Sequence, residues 1–224
     1  MCPTTKVGRP GSRGEPAKTR AAILKSALHE FAREGIAGAR TDEIARRAGV
    51  NKALLYYYFR DKEGLYTAAL EQVFSGLEAC VLPVLDEEGL APAPKLLKYV
   101  QTHFDYIASH PVYPRLVQRE YMRTVGRRLA PAAGRIFERY GRSIYNALDK
   151  LIRDGIAHGD FRPLDPGQTI ASILGVINYY FISLPAQQVA TPGDPSSPEP
   201  IAARRAAVLD FVSAAVFCPS RRGN

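Results

Sequence analysis

Residues 40 to 62, RTDEIARRAGVNKALLYYYFRDK, predict two short helices joined by a tight turn. The first helix carries two acidic residues in its first turn, which suit the positive end of the helix dipole, and it ends at Gly49. Asn51 is a good N-cap for the second helix, and Leu55 and Phe59, four residues apart, bury its inner side. This pattern is typical of a helix-turn-helix, in which the second helix is held out so that its exposed face can enter a DNA major groove.

A further helix is predicted before this stretch, because apolar residues recur at helical spacing between Lys18 and Glu34 and Gly35 supplies a stop. The two segments KTRAAILKSALHEFAREG and IARRAGVNKALLYYYFRDKEGLY together resemble the N-terminal DNA-binding domain of TetR-family transcriptional regulators. The resemblance covers residues 17 to 70, with AGV, LYYYF and the following lysine in register. Beyond residue 80 the likeness is limited to helical character and length.

The second helix of the pair is the predicted recognition helix. Four residues on its outer, N-terminal face are expected near base edges: Lys52, Ala53, Leu54 and Tyr57. A lysine can donate to guanine O6 or N7, and the alanine and leucine can contact a thymine methyl group. The resemblance implies base contacts at these four positions, although Leu54 replaces the Thr or Ser frequent in the family, which leaves open the base it reads. It also implies contacts to phosphates by residues of both helices: Arg40, Thr41, Tyr56, Tyr58 and Lys62.

The three consecutive tyrosines have an alternative interpretation as plain core residues. Neighbouring side chains on a helix point about 100° apart, so Tyr56, Tyr57 and Tyr58 cannot all face inward. At least one phenol is therefore expected at the surface, where its hydroxyl can bond to a phosphate. For Lys62 the alternative is an ordinary solvated charge.

Charge separates the two ends of the 224-residue chain. Residues 1 to 62 hold thirteen Lys and Arg against six Asp and Glu, whereas residues 63 to 224 hold seventeen against sixteen. Nearly all of the net charge of +8 therefore lies in the segment predicted to meet phosphates. Residues 1 to 16 have no apolar period and predict a flexible basic arm, either a solvated tail or one that places Arg9 or Arg13 on a phosphate or in the minor groove.

We predict an all-α protein of about nine helices, because every apolar run fits the helical period and no strand alternation is present. The predicted parts are the basic arm at residues 1–16, a helix-turn-helix DNA-binding domain at residues 17–62, and a larger helical regulatory and dimerisation domain at residues 63–224. A helix capped by Asp61, which leads into this last part, is expected to end before Pro83.

The expected homodimer surface consists of two helices, at residues 166–184 and 201–217. The first begins with Asp165 as a cap and is apolar on more than one face, so it needs a partner besides its own core. One small helix-turn-helix makes few contacts, and two copies read half-sites about one or more DNA turns apart. The resemblance implies a four-helix dimer interface and a palindromic operator; the alternative is a monomer that buries both helices itself.

The C-terminal domain is also predicted to hold a small-molecule site. Aromatic side chains mixed with a few polar groups line pockets in helix bundles, although any one aromatic residue is more often plain core. The resemblance implies an effector that releases DNA by favouring one spacing of the two reading heads, and its identity is not readable from the sequence. The candidate ligand-binding residues are His103, Phe104, Tyr113, Tyr121, Met122, Phe137, Tyr140, Asn178 and Tyr179.

Other compartments and chemistries find little support in the sequence. The three cysteines, Cys2, Cys80 and Cys218, are far apart and odd in number, which favours a reduced cytoplasm over a disulfide framework or a zinc site. The segment from Ile170 to Leu184 is too short and too interrupted for a membrane span. No Gly-rich phosphate loop, HExxH, GxSxG or Cys-His cluster is present, so we predict neither an enzyme nor a cofactor.

The sequence therefore predicts a transcriptional repressor that binds a palindromic operator as a homodimer and is released by a small-molecule effector. A ligand-independent repressor or an activator of the same fold is the alternative within this class. The alternative from another functional class is a protein–protein adaptor whose basic N-terminal domain binds an acidic partner protein. Sequence-selective DNA binding in excess competitor would exclude that adaptor.

Overall fold

The computed structural model describes residues 16–125, 128–129 and 131–219, and almost all of them are helical. The helices are α1 (Pro16–Gly38), α2 (Thr41–Ala48), α3 (Lys52–Phe59), α4 (Lys62–Leu85), α5 (Pro92–Ser109), α6 (Val112–Met122), α7 (Pro131–Ile136), α8 (Arg142–Ala157), α9 (Pro166–Ile182), α10 (Leu184–Ala190) and α11 (Pro198–Val216). The predicted all-α class is confirmed. The predicted basic arm lies outside the described residues, except for Pro16, which begins α1.

A π-helical turn, Phe137–Gly141, joins α7 to α8. If these three segments count as one helix, the described residues contain ten helices against the nine predicted. The additional one is the short α10, which begins immediately after α9 because Pro185 stands in its first turn, where the missing N–H of proline has no helical partner to lose. A small antiparallel pair of two-residue strands, β1 (Thr124–Val125) and β2 (Arg128–Leu129), follows α6.

The chain divides into two compact units between Gln72 and Val73. In the N-terminal unit, the fully buried side chains include Phe31 of α1, Ile44 of α2, Leu55 of α3 and Leu65 of α4. α1 packs closely on α2. Its regular geometry breaks at Gly35, where φ is 67°, a left-handed conformation that glycine adopts without a steric cost. The helix is thus interrupted at the residue predicted to stop it, but it continues beyond the kink to Gly38.

The C-terminal unit is built around α5, which packs on α8, α9 and α11. Its buried residues Leu96, Val100 and Ile107 face these neighbours at helical spacing. The domain boundary predicted at residue 62 stays a prediction, because a structural division and a functional one need not coincide.

An aromatic clasp, defined as the stacked rings of Phe161 and Phe217, ties the loop before α9 to the end of α11. The ring centroids are 5.5 Å apart and the planes lie within 6° of parallel. The main chain adds a hydrogen bond from the Cys218 N–H to the Asp160 carbonyl at 3.0 Å. Gly155 makes room for the clasp, since a Cβ there would lie 2.2 Å from the Phe161 ring.

The end of α4 differs from the prediction. The helix continues through Pro83 to Leu85 instead of ending before the proline. Because Pro83 lies in the last turn, the helix loses only the hydrogen bond that the amide of this residue would have made. By length and composition alone α4 is also apolar enough to cross a bilayer, as is the bent pair α9–α10, but buried core helices have the same composition.

Candidate nucleic-acid interface and helical-domain cavity

The turn between α2 and α3 is fixed by backbone hydrogen bonds. Gly49 caps α2 in the left-handed conformation, with φ 70° and ψ 27°, and its N–H donates to the carbonyls of Ala45 and Arg46. The Val50 N–H also donates to the Ala45 carbonyl, at 3.0 Å. Residues with a side chain rarely adopt this conformation, so glycine is the residue that the corner requires. α3 then starts at its predicted cap, because the Asn51 Oδ1 accepts the Leu54 N–H at 2.7 Å.

The orientation of α3 follows from the two apolar residues on its inner side. Leu55 and Phe59 are buried, as their four-residue spacing predicts. The opposite side carries Tyr57, which is 81% exposed, together with exposed Lys52 and Ala53. Leu54 is partly exposed beside them. The four residues predicted to approach base edges therefore share an accessible surface of α3.

The residues predicted to contact phosphates fall into three local arrangements. The hydroxyls of Thr41 and Tyr56 lie 3.2 Å apart, linking the start of α2 to α3. Arg40 is the N-cap of α2, and its backbone N–H donates to the buried Glu30 carboxylate. The ring of Tyr58, half-buried, meets the ring of Tyr57 edge-on. Within this set Thr41 and Tyr56 contact each other, whereas Arg40 and Tyr58 contact Glu30 and Tyr57.

Both candidate lysines have an intramolecular partner. The Lys52 Nζ lies 2.9 Å from the Asp42 Oδ1, and this hydrogen bond raises the pKa of the lysine. The Lys62 Nζ donates to the Ala37 carbonyl at 3.2 Å. An ammonium group has three donors, so one bond to a protein acceptor leaves each lysine able to bond to DNA as well.

A further ionic group lies on α2, outside the predicted set. Arg46 and Arg47 both donate to the Glu43 carboxylate at 2.7 Å. These bonds, first that of Arg46 and then that of Arg47, lower the pKa of Glu43 to about 2. The pairing orients two exposed guanidinium groups, and the sequence signal for it is the acid three and four residues before two arginines.

The junction between α3 and α4 is held by a strained residue and a close approach. Arg60 has φ 63°, a conformation rare for residues other than glycine. The Asp61 Oδ1 accepts the Gly64 N–H at 2.6 Å, so Asp61 caps α4 as predicted. A Cβ on Gly64 would lie 2.4 Å from the Phe59 carbonyl oxygen. The recognition helix and the next helix therefore approach each other at a position where only glycine fits.

The C-terminal unit contains a cavity of about 260 Å³ between its helices. Its described lining comes from five α-helices and the π-helical turn and includes no Asp, Glu, Lys or Arg. The lining residues are Phe74, Leu77, Tyr99, His103, Tyr113, Val117, Phe137, Gly141, Ile144, Tyr145, Leu148, Ile170, Leu174, Gly175, Asn178 and Ile182.

Polar atoms in the lining are few and specifically placed. The Tyr99 hydroxyl bonds to the His103 Nδ1 at 2.9 Å. His103 is 2% exposed, and burial lowers its pKa to about 4, so the ring is neutral near pH 7. The Asn178 Nδ2 donates to the Leu174 carbonyl at 2.8 Å. The His103 Nε2 and the Asn178 Oδ1 are buried without a hydrogen-bond partner among the described residues.

Four of the nine candidate ligand-binding residues line this cavity: His103, Tyr113, Phe137 and Asn178. The structure does not bring the other described candidates to it. Phe104 packs in the core against Phe181, with ring centroids 5.0 Å apart. Met122 and Tyr179 are 77% and 68% exposed.

Two further candidates complete the set. Tyr140 does not line the cavity and lies under the Arg139 guanidinium. The side chain of Tyr121 lies outside the described residues. Sequence reasoning missed Tyr99, although its position four residues before His103 on one helix face was a usable signal.

An exposed face of small and apolar residues runs along α9 and α11, which pack against each other. Its largest members are Tyr179 and Phe211, which is 56% exposed. The small exposed members are Ala171, Ser172, Gly175, Ala202, Ala203, Ala206, Ala207 and Ala214. The exposed residues of the predicted dimer helices are thus mostly small or apolar, with Asp210 of α11 exposed among them.

Comparison with known proteins agrees with this arrangement. The model of the N-terminal domain of bacterial regulatory proteins of the tetR family matches residues 23–69, and that of a tetracyclin repressor-like C-terminal domain matches residues 92–212. The transcriptional repressor SCO4008 of Streptomyces coelicolor is 31% identical over 171 residues, which cover 76% of this chain and 82% of that protein. The transcriptional regulator RutR of Escherichia coli K12 is 29% identical, over 80% of this chain and 81% of RutR.

A likeness of fold extends to the transcriptional regulator FadR from Bacillus subtilis, solved in complex with stearoyl-CoA. The TM-score is 0.67, with 20% sequence identity over 87% of this chain and 97% of FadR. The shared fold therefore spans both the helix-turn-helix and the cavity-bearing helices.

Proposed function

This chain belongs to the TetR family of bacterial transcriptional regulators, and from that premise we propose that it is a repressor that binds a palindromic operator as a homodimer and is released by a small-molecule effector. The observation that carries the proposal is the outer face of α3. That face leaves Lys52, Ala53 and Tyr57 accessible on a helix whose other side is buried.

DNA binding is supported by shape and by charge together. An α-helix with one accessible face fits a major groove, and residues near its N-terminus reach base edges. The excess of positive charge lies in residues 1 to 62, where counterion release on phosphate binding would drive association. We propose that Lys52, Ala53, Leu54 and Tyr57 contact bases. We propose phosphate contacts for Arg40, Thr41, Tyr56, Tyr58 and Lys62.

Homodimerisation is supported by the exposed face of α9 and α11. Small residues let two helices approach closely, and Tyr179 and Phe211 offer apolar area that a monomer would leave in water. An isologous interface of these helices with a second copy would give a four-helix arrangement and two recognition helices. Two recognition helices related by a twofold axis read a palindrome.

Release by an effector is supported by the cavity. FadR, which shares the fold, is solved with a bound acyl-CoA. In this chain α4 supplies Leu65 to the core of the N-terminal unit, and Phe74 and Leu77 to the cavity. A ligand that binds one conformation of α4 better than another would shift the DNA-binding equilibrium by the difference in affinity. We propose no enzymatic activity and a cytoplasmic location, in keeping with relatives named as transcriptional regulators.

The decisive experiment is selection of bound duplexes from a random DNA library, at a salt concentration that suppresses nonspecific binding. The proposal expects an enriched palindrome with half-sites about one helical turn or a multiple of it apart. A duplex with one half-site scrambled serves as the control and should bind far more weakly. Enrichment of a single half-site would contradict the homodimer, and no enrichment would favour the adaptor.

The alternatives within the family need a second measurement. Transcription from the selected operator, with and without the protein, distinguishes a repressor from an activator. Adding fractions of a cell extract separated by size then tests for an effector. Small-molecule fractions that restore transcription support effector release. Repression that no fraction relieves would instead support the ligand-independent repressor.

A further inference from the structure

Two unpartnered polar atoms belong to residues that line the cavity of the C-terminal unit. The Nε2 of His103 and the Oδ1 of Asn178 are both buried, and neither has a hydrogen-bond partner among the described residues. Leaving such atoms unpaired costs more than the bond itself contributes when it is made. These two atoms are therefore the ones at which a bound molecule would gain most from hydrogen bonding.

The hydrogen-bonding role of Asn178 follows from its partner. A backbone carbonyl only accepts, so the group that lies 2.8 Å from the Leu174 carbonyl is the amide nitrogen. The Asn178 Oδ1 is then the unpaired atom, and it accepts hydrogen bonds. A ligand must present a donor to it.

The role of His103 follows from Tyr99. A phenol O–H is a better donor than an imidazole N–H, and an imidazole nitrogen is a better acceptor than a phenol oxygen. The Tyr99 hydroxyl, 2.9 Å from Nδ1, therefore donates to that nitrogen and leaves the proton of the neutral ring on Nε2. A ligand must present an acceptor to this N–H.

Size and charge limit the molecule further. An engineered cavity of about 150 Å³ in another protein holds one benzene, so about 260 Å³ suits a molecule of about ten heavy atoms by proportion. The described lining carries no ionised side chain. A charged ligand would lose its hydration without gaining an ion pair.

We propose that the cavity binds a compact, uncharged and largely apolar molecule that carries both a hydrogen-bond acceptor and a hydrogen-bond donor, such as a carboxamide. The acceptor bonds to the His103 Nε2–H and the donor to the Asn178 Oδ1. This inference rests on the proposed function, because it treats the cavity as the effector site.

Three probes of nearly equal shape test the assignment on the full-length protein without DNA. They are benzamide, which has a donor and an acceptor, acetophenone, which has only the acceptor, and benzoate, which is an anion. Isothermal titration should show the amide binding roughly tenfold or more tightly than the ketone, since the ketone leaves the Asn178 Oδ1 unpaired. The anion should bind about a hundredfold more weakly than the amide.

Variants assign each bond separately. Asn178→Leu should lower the affinity for the amide to that for the ketone. It should leave the affinity for the ketone unchanged or raise it. His103→Phe should lower the affinities for the amide and the ketone alike, by roughly tenfold. Asn146→Leu is the matched control, because Asn146 is an exposed residue of α8 that does not line the cavity, and both affinities should stay as in the wild type.

The wild-type comparison of amide with ketone does not depend on any variant folding. Equal affinities would overturn the proposal, because a merely hydrated pair of atoms would not distinguish the probes. Binding of none of the three at millimolar concentration, or preference for the anion, would overturn it too. An amide that binds as expected without altering affinity for the selected operator would leave this inference standing and contradict effector release.

Discussion

The recognition surface of the N-terminal unit and the cavity of the C-terminal unit are both made of helices, but they are assembled in opposite ways. The proposed base-reading residues lie within six consecutive positions, 52 to 57, and the most accessible of them, Tyr57, is 81% exposed. The cavity collects residues from position 74 to position 182, and its central histidine is 2% exposed.

The difference separates two kinds of recognition. Exposed cations on a convex helix act through Coulomb attraction to phosphates, which depends on salt and tolerates small displacements. Buried dipoles in a cavity between helices act over short distances, depend little on salt, and disfavour a molecule that leaves one of them unpaired. The first surface suits a long polyanion, and the second suits one small uncharged molecule.

The largest expected effect is on the pH dependence of folding stability, and it comes from the burial of His103. An unfolded chain holds histidine near pKa 6.5, whereas burial lowers the folded value to about 4. Between these values the unfolded state binds more protons, so stability should fall as pH falls from 6.5 towards 4, by up to about 1.4 kcal/mol per pH unit and about 3 kcal/mol in total. Denaturant titrations of the wild type and of His103→Phe should show this loss in the wild type only. Parallel pH curves for the two proteins would mean that the ring is not buried as a neutral group.

The close approach of α3 and α4 at Gly64 can be tested by substituting this glycine. Gly64→Ala places a methyl carbon 2.4 Å from the Phe59 carbonyl oxygen and should destabilise the protein by about 2 kcal/mol. The matched control is Gly134→Ala in α7, where a Cβ meets nothing within 4 Å. That change should be neutral or stabilise the helix by up to about 1 kcal/mol. Thermal unfolding followed by circular dichroism measures both, and similar melting temperatures for the two variants would contradict the close approach.

The two candidate lysines should divide base reading from phosphate binding. Lys52→Ala should change the preference between matched and altered operators by about 1–3 kcal/mol, whereas Lys62→Ala should weaken binding to all sequences and reduce the salt slope by about one. Fluorescence anisotropy at several salt concentrations, on matched and scrambled duplexes, measures both quantities. An equal loss on all sequences with Lys52→Ala would remove this residue from the base-reading set.

The smallest expected effect concerns Asp42. Its carboxylate and the Lys52 side chain are both exposed, so losing their ion pair in Asp42→Asn should change stability by less than about 0.5 kcal/mol. Removing a negative charge beside the predicted DNA surface should nevertheless tighten binding to every duplex by roughly threefold at low salt. The same anisotropy titrations would detect it. Weaker binding would instead mean that Asp42 is needed to position Lys52.

The comparison also explains which parts of the structure can be predicted from the sequence. Asn51, Asp61 and Asp165 act as helix caps where local chemistry predicts them, accepting N–H groups three residues ahead. Gly49 ends α2 and Gly35 kinks α1 for the same local reason, a left-handed backbone conformation. The helix-turn-helix is predictable because each of its signals lies within a few residues of its effect.

The cavity is less predictable because its lining depends on helix rotation and packing over long distances. A π-helical turn at residues 137–141 interrupts the α-helical hydrogen-bond pattern between α7 and α8. Tyr140, a candidate ligand-binding residue from the sequence, lies within this turn and does not line the cavity. Gly141 lets the Phe137 ring lie close, since a Cβ there would be 2.6 Å from it, and no sequence period predicts that contact.

The aromatic clasp has a practical consequence for handling the protein. The ring of Phe217 and the amide of Cys218 hold the loop before α9 in place, although both residues follow the last helix and look dispensable in the sequence. Truncation after Val216 would uncover Phe161, one of the largest fully buried side chains. Purification tags should accordingly be joined through a spacer beyond residue 219, and shortened variants should keep both residues.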